Sequence, residues 1–291
     1  IHADFYIFLS GAYGSAILFE ETLPSGTRKV VVKVARTEFD NMSIRSEEGF
    51  LQSLRGAEHI VQILYSGPGT FYRSSLVIEF VEHGHWEDIY ERIHDAGRSI
   101  PNRVLWGIFL CLTRAVIAMA WPPNRNLGDP IWRETIQSKD PGLMAHRDFS
   151  LGNVLVGAWQ KTDPEHRFSP ITKVIDFGLA INMTPKEPLG NRRGIADNIA
   201  GIGRVISWLA GRHPAFEDRD EHLSDELQEM IFRCTDKDVE ERPTLEELLE
   251  ACENVVKNHT ATDYQHLPSG QYEQDHEIDQ FIQTFILNAD I

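Results

Sequence analysis

Cysteine is scarce, long runs of basic or apolar residues are missing, and no internal repeat is visible. Three cysteines in 291 residues, Cys111, Cys234 and Cys252, are odd in number and far apart, so they fit neither a disulfide framework nor a metal-ligand spacing. A reducing, intracellular compartment, the cytoplasm, is therefore expected. The net charge is −16, from 28 Lys+Arg against 44 Asp+Glu. Such a surface repels phosphate backbones and anionic headgroups, so no nucleic-acid partner and no membrane partner is expected. No apolar run reaches the length needed to span a bilayer. What remains, 42% hydrophobic and 25% charged residues, is enough apolar material for a sizeable core.

The residue pattern changes along the chain. Phe5 to Leu9, Ala16 to Glu20 and Lys29 to Ala35 are short β-rich runs separated by turn residues such as Pro24-Ser25-Gly26. A helical stretch, Ser43 to Leu54, places Phe50, Leu51 and Leu54 on one face, and strand-like runs follow at Ile60 to Tyr65 and Ser75 to Val81. Beyond Trp86 the pattern is helical: Trp86 to Ile93, Val104 to Ala120, Ala196 to Ala210, Asp225 to Cys234 and Leu245 to Lys257. His259 to Gln274 is polar and reads as a loop. Ile278, Phe281, Ile282 and Phe285 recur at helical spacing and predict a terminal helix over Glu277 to Leu287, packed on the core. A small β-rich part followed by a larger helical part predicts an α+β fold of two packed lobes. The expected divisions are residues 1–82, 83–258 and a C-terminal extension, 259–291.

Two short motifs carry the chemistry. His146-Arg147-Asp148 is followed five residues later by Asn153, and Asp176-Phe177-Gly178 follows the strand-like Thr172 to Ile175. Phosphoryl transfer needs a carboxylate to take a hydroxyl proton, and an amide and a second carboxylate to hold Mg²⁺. Either motif alone is commonplace; in this order, each beside Val/Leu/Ile strands, they form a strong joint signal.

On these residues the chain resembles the protein-kinase superfamily, with a divergent serine/threonine-type catalytic domain, over about residues 5–256. The resemblance implies a bilobal protein-kinase-like fold with a small β-rich N-lobe and a larger mainly helical C-lobe. It implies the cofactors ATP and Mg²⁺, and a protein or small-molecule hydroxyl acceptor as partner. Phe8-Leu9-Ser10-Gly11-Ala12-Tyr13-Gly14-Ser15-Ala16 matches the phosphate-covering loop, with Leu9 in place of the first glycine. Leu9, Gly11, Gly14 and Ala16 would then border the nucleotide. Val30-Val31-Val32-Lys33 matches the strand that delivers a lysine to the α/β-phosphates, and Glu47, with Leu51 and Leu54 four and seven residues on, is preferred over Glu48 as its partner. Ile78 would limit the back of the adenine pocket, while the backbones of Glu79 and Val81 would bond the purine. Leu51, Ile63, His146 and Phe177 would stack into a column between the lobes. Asp148 would act on the acceptor hydroxyl, and Asn153 and Asp176 would hold Mg²⁺. Asp197 would bond the catalytic-loop backbone, and Cys234 to Thr244 matches the family's late helical signature. Gly211-Arg212-His213-Pro214 matches a turn that follows the helix of Asp197.

The pattern departs from the family in two places. Ser150 stands where serine/threonine kinases carry a lysine, and a hydroxyl offers the transferring phosphate a hydrogen bond but no charge. Losing one such electrostatic contact can cost about 10²–10³ in rate. Gly152-Asn153 is similar to the loop ending of small-molecule kinases of the aminoglycoside and choline type. The interval from Gly178 to Asp197 is short, has no Ala-Pro-Glu, and carries Thr184 as its single hydroxyl residue. Glu187 is expected to substitute in pairing with Arg242, and Arg147 is expected to lack a loop phosphate. The predicted activity is an ATP-dependent serine/threonine protein kinase; a small-molecule kinase of similar fold and a nucleotide-binding pseudokinase are the alternatives. Trp121 to Pro141 and the hairpin around Gly157 to Pro170 are insertions relative to a minimal kinase.

Overall fold

Alternating β-branched residues in the first eighty positions form a five-stranded antiparallel sheet. Its strands are β1 (Ala3–Gly11), β2 (Gly14–Leu23), β3 (Gly26–Val34), β4 (Ile63–Pro68) and β5 (Ser74–Glu79), in the spatial order β1-β2-β3-β5-β4. The computed structural model describes residues 3–11, 14–23, 26–68, 74–186, 189–211 and 221–287, of which 3–11, 14 and 66–68 are described as backbone only. Among the predicted motifs, Ala12, Tyr13, Pro24, Ser25, Glu187 and the Arg212-His213-Pro214 turn lie outside the described residues.

Helix α1 (Glu38–Leu54) crosses from β3 to β4. It begins five residues before the predicted Ser43, because Thr37 and Asp40 form a reciprocal capping box: Asp40 N–H donates to Thr37 Oγ1 at 3.1 Å and Thr37 N–H to Asp40 Oδ2 at 3.0 Å. An aspartate closing the box, where glutamate or glutamine is usual, hid this start. The buried stripe runs Ile44, Glu47, Leu51, Leu54, so the periodicity that buries two leucines carries Glu47 inward with them.

The rest is mostly helical: α2 (Trp86–Asp95), α3 (Asn102–Ala120), α4 (Arg193–Leu209), α5 (Asp225–Thr235), α6 (Leu245–Asn258) and α7 (Asp275–Phe281). The fold class is thus α+β, a small antiparallel sheet at the N-terminal end followed by a mainly helical part. Short ribbons β6 (Met144–Ala145) with β9 (Ile181–Asn182), and β7 (Val154–Val156) with β8 (Thr172–Val174), sit between α3 and α4 in sequence. One hydrophobic cluster spans both parts, from Leu51, Ile63 and Ile78 to Val174, Phe177 and Val205. Every residue of α3 is buried. Contrary to the expectation that no apolar run reaches spanning length, this 19-residue helix is by length and composition apolar enough to cross a membrane, yet all of its apolar window is packed inside the protein.

The C-terminal extension is more ordered than its polarity suggested. Two 3₁₀ turns, Ala261–Tyr264 and Gly270–Glu273, bury Tyr264 and Glu273. The Glu273 carboxylate accepts the Asn102 N–H at 2.6 Å and so caps the start of α3. After α7 the chain continues in π-helical turns, Ile282–Leu287, and the wider spacing buries Ile286 where the 3.6-residue pattern expected Phe285. Phe285 packs half-buried at the edge of the core.

The two long loops lie against one side of α3. Arg114, in the middle of that helix, donates to the Glu134 carbonyl at 2.6 Å and to Glu165 Oε1 at 2.7 Å, one residue from each loop. Arg133 joins Glu58 to Asp163. Beneath this belt lie His59, Cys111 and His166, at 0%, 1% and 1% exposure. His59 Nδ1 is 2.7 Å from Glu134 Oε2, and Cys111 Sγ is 3.8 Å from His166 Nδ1. Burial disfavours the His59 imidazolium, but the Glu134 carboxylate outweighs burial and raises its pKa to about 10. Burial also pushes the Cys111 thiol up, and the charges of His59 and His166 outweigh that and bring it to about 6.

Helix α4 approaches the His146–Asn153 loop through Gly201. A Cβ there would meet Phe149 Cδ2 at 2.5 Å and Phe149 Cβ at 3.0 Å, whereas a Cβ on Gly49 in α1 would meet nothing within 4 Å. Gly201→Ala should therefore cost about 1–3 kcal/mol, while Gly49→Ala should gain roughly 0.5–1 kcal/mol of helix propensity. Thermal unfolding of the two variants checks this; similar Tm shifts in both would contradict the close packing of α4 on the loop.

Candidate functional site

The sheet register brings the predicted nucleotide residues onto shared rungs. Leu9 pairs with Ala16, Ala16 with Lys33, and Lys33 with Leu76, while Val31 pairs with Ile78 two residues away. Directly opposed residues, and those two apart along a strand, occupy one face. Ala16, Val31, Lys33, Leu76 and Ile78 are therefore on the same side of the sheet, with Leu9 at the end of the central rung. Gly11 pairs with Gly14 at the tip of the β1–β2 hairpin.

Helix α1 supplies the counter-charge on that side. Lys33 Nζ is 2.6 Å from Glu47 Oε1 and 3.7 Å from Asp176 Oδ1. Glu48 instead bonds Gln52 one turn along the helix surface, so the choice between the two glutamates falls to Glu47. Burial opposes the ammonium, and the charges of Glu47 and Asp176 outweigh it and hold the Lys33 pKa above its ordinary value. Burial also pushes the Glu47 carboxyl up, and Lys33 offsets this only in part, because Asp176 adds a second negative charge. Lys33 is the positive centre between two carboxylates and remains protonated.

A neutral histidine fixes the facing loop. His146 is fully buried; its Nδ1 accepts the Asp148 N–H at 3.2 Å, which leaves Nε2 to donate to the Ile175 carbonyl at 2.9 Å. Burial holds its pKa below the ordinary value, which suits this tautomer. The His146 ring lies 4.7 Å from both Phe149 and Phe177, centroid to centroid, the latter edge-on. Leu51, Ile63, His146 and Phe177 are all fully buried. Arg147 and Asp176 take left-handed backbone, at φ 67° and 63°, a strained conformation for residues with a Cβ.

Within the loop Asn153 Nδ2 donates to Asp148 Oδ2 at 2.9 Å and to the Asp148 carbonyl at 2.8 Å. Asn153 Oδ1 makes no hydrogen bond among the described residues. The Ile175 N–H donates to the Asn153 carbonyl at 3.0 Å, so Asp176 leaves the strand beside Asn153. Asp176 Oδ1 also accepts the Gly178 N–H at 3.3 Å, and Oδ2 makes no hydrogen bond among the described residues. Two protein oxygens on adjacent segments suit Mg²⁺, which keeps several waters and takes phosphate oxygens in preference to an all-protein cage.

Other predicted residues fall differently. The Glu79 N–H donates to the Gln62 carbonyl at 2.9 Å, and its carboxylate pairs with Lys173 at 2.6 Å. The Val81 backbone makes no hydrogen bond among the described residues. Ser150 is exposed at the start of a 3₁₀ turn, and its carbonyl accepts the Asn153 N–H. Among the described residues Asp197 makes no hydrogen bond to the loop backbone. Asn198 does, through Oδ1 to the His146 N–H and Nδ2 to the Met144 carbonyl, both at 2.9 Å. Sequence reasoning missed Asn198 because the helix begins at Arg193, before the predicted Ala196, and its inward face passes through 198, 199 and 202. Arg242 donates to the Ala196 and Asp236 carbonyls at 2.9 Å, tying the late helical signature to α4; its expected partner Glu187 lies outside the described residues. Arg147 is exposed and makes no ion pair among the described residues.

No protein-family model matches the chain, and no curated protein matches it.

The Asn198 contacts yield a direct test. Asn198→Ala would leave the buried His146 N–H and Met144 carbonyl without partners, a loss of about 2–4 kcal/mol in urea unfolding. Asp197→Ala should cost less than about 1 kcal/mol. The reverse ranking would return the structural role to Asp197.

Proposed function

We infer that this chain is an ATP-dependent phosphotransferase with a bilobal protein-kinase-like fold, transferring the γ-phosphate of Mg-ATP to a serine or threonine hydroxyl of a protein. One observation carries the reading: Lys33, held by Glu47, faces Asp176, while Asp148 and Asn153 are bonded to one another on the loop anchored beside it. A cation, two carboxylates and an amide with a free oxygen are the groups that in-line phosphoryl transfer uses.

In this reading Ala16, Val31 and Ile78 border the purine, with Leu9 at the register position beside them and the unbonded Val81 backbone available to the ring. Gly11 and Gly14 lie at the covering hairpin. Lys33 holds the α/β-phosphates. Asp176 and Asn153 would hold Mg²⁺, which would supply positive charge to the phosphate oxygens. Asp148 orients the acceptor and accepts its proton as the new oxygen–phosphorus bond forms. The bond from the γ-phosphorus to the bridging oxygen breaks and ADP leaves. Ser150 contributes a hydroxyl and no charge to the transferring phosphate, so this centre stabilises the transition state less than one carrying lysine there. A reducing compartment such as the cytoplasm belongs to the same proposal, supported by three free, buried cysteines.

A small hydroxyl compound as acceptor is a second reading, favoured by the short segment after Gly178. There β9 pairs back onto β6, and Met183 N–H bonds the Leu143 carbonyl at 2.7 Å. That leaves little chain for a peptide-docking platform.

Labelled Mg-ATP offered to basic proteins and to a panel of small alcohols separates these readings. Asp148→Asn should lower transfer by about 10²–10⁴ while ATP affinity stays near wild type. Asp176→Ala should remove the Mg²⁺ dependence of ATP binding. Label on protein that disappears in Asp148→Asn supports the first reading, and label confined to a small molecule supports the second. ATP binding with no transfer to either acceptor class would leave a nucleotide-binding pseudokinase and overturn the enzymatic assignment.

A further inference from the structure

His59, Cys111 and His166 come from three separate parts of the chain: the turn before β4, the middle of α3 and the Gly157–Pro170 loop. Each offers one ligand atom, and these three atoms lie within 4.8 Å of one another. The cluster is fully buried, yet His59 Nε2 and His166 Nε2 have no hydrogen-bond partner. A purely structural hydrogen-bond cluster explains this poorly. The Cys111 to His166 Nδ1 contact, at 3.8 Å, is long, and His59 Nε2, the nitrogen a metal ion would take up, stays unsatisfied in the interior.

The surroundings fit a different occupant. His59 Nδ1 is bonded to Glu134 Oε2 at 2.7 Å, and the other Glu134 oxygen accepts the His59 backbone N–H at 2.9 Å, so one carboxylate holds both the ring and the main chain of His59. A carboxylate on one imidazole nitrogen is the usual support of a histidine that coordinates through the other. We propose that His59, Cys111 and His166 bind one d¹⁰ metal ion, zinc(II) or copper(I), which ties both long loops to α3. One thiolate and two imidazoles form a borderline-soft donor set selective for these ions over Mg²⁺ or Ca²⁺. Around a metal with bonds of about 2.0–2.3 Å, ligand atoms sit roughly 3.3–3.8 Å apart. The Cys111–His166 separation already meets this, and small side-chain rotations bring in His59 Nε2. Coordination takes a thiolate and two neutral imidazoles, so any proton on Cys111 Sγ or on the coordinating His59 Nε2 passes to solvent as the sulfur–metal and nitrogen–metal bonds form. Zinc takes a fourth small ligand, whereas copper(I) is satisfied by three. The site is separate from the Lys33–Asp176 centre and does not depend on the activity assigned to it.

The test uses the whole chain, stripped of metal with a chelator and titrated with cobalt(II), a coloured substitute for zinc. Expected is saturation at one equivalent with a thiolate-to-cobalt charge-transfer band, bleached by zinc and absent in Cys111→Ala. A cation at Asp176 and Asn153 gives no such band. Glu134→Gln should weaken affinity by about 10–100-fold. Zinc should slow tryptic cleavage after Arg125, Lys139 and Lys161 in the two loops. Copper(I), supplied without oxygen against a competing chelator, forms the second arm; binding there without a cobalt band selects copper. The wild-type titrations decide the matter even if a variant fails to fold: no thiolate band and no tight copper(I) binding, or a band that persists in Cys111→Ala, would overturn the proposal.

Discussion

The neutral imidazole of His146 is the joint through which the candidate centre is assembled. Its ring accepts from Asp148 on one side and donates to Ile175 on the other, and its own backbone N–H is held by Asn198. Three segments distant in sequence are thereby fixed relative to one another. A second proton on the ring would turn the Nδ1 acceptor into a donor facing a donor, and burial works against that. The positions of Asp148 and Asp176, and so the partner that Lys33 meets, all follow from one ring remaining uncharged. The left-handed backbone at Arg147 and Asp176 is strain that this network and the packing of Phe177 sustain.

Much of this was legible in the sequence, and for identifiable reasons. Strand alternation and the helical stripe of α1 are local patterns, and the stripe alone distinguished Glu47 from Glu48. Asn153 beside Asp148, and Asp176 after a buried strand, are short-range arrangements that ordered motifs announce. The failures concern phase and pairing across space. Helix α4 starts earlier than its apolar residues suggested, which moves the loop-binding role from Asp197 to Asn198. The π-helical end of the chain shifts burial from Phe285 to Ile286, because a five-residue hydrogen-bond spacing is invisible to a 3.6-residue template. The polar composition of 259–274 concealed Glu273, whose buried carboxylate serves helix α3.

The cysteines illustrate the same limit. Cys111 has no partner at any recognisable spacing, since its neighbours arrive from a turn and a loop far away in the chain. The two loops that looked like additions to a minimal architecture supply Glu134 and His166 to a polar knot behind α3. Arg114 holds both loops from inside a helix otherwise apolar enough to span a bilayer. A charged residue in such a helix is costly unless fully paired, and the carboxylates of Glu165 and Glu253, with the Glu134 carbonyl, supply the pairing.

The pairing of β9 onto β6 has a consequence for how this surface meets other molecules. Residues 181–183 are stitched to the strand that leads into His146, so the backbone just ahead of the loop that carries Asp148 has its shape set in advance. A visitor to this surface loses no free energy to ordering those residues, but it also finds little slack there to mould around it. Preorganisation of this kind favours a narrow set of shapes over a broad one. Selectivity on that face would then lie in the fixed backbone of the ribbon and in exposed side chains such as Leu179 and Ile181, more than in adaptation of the chain.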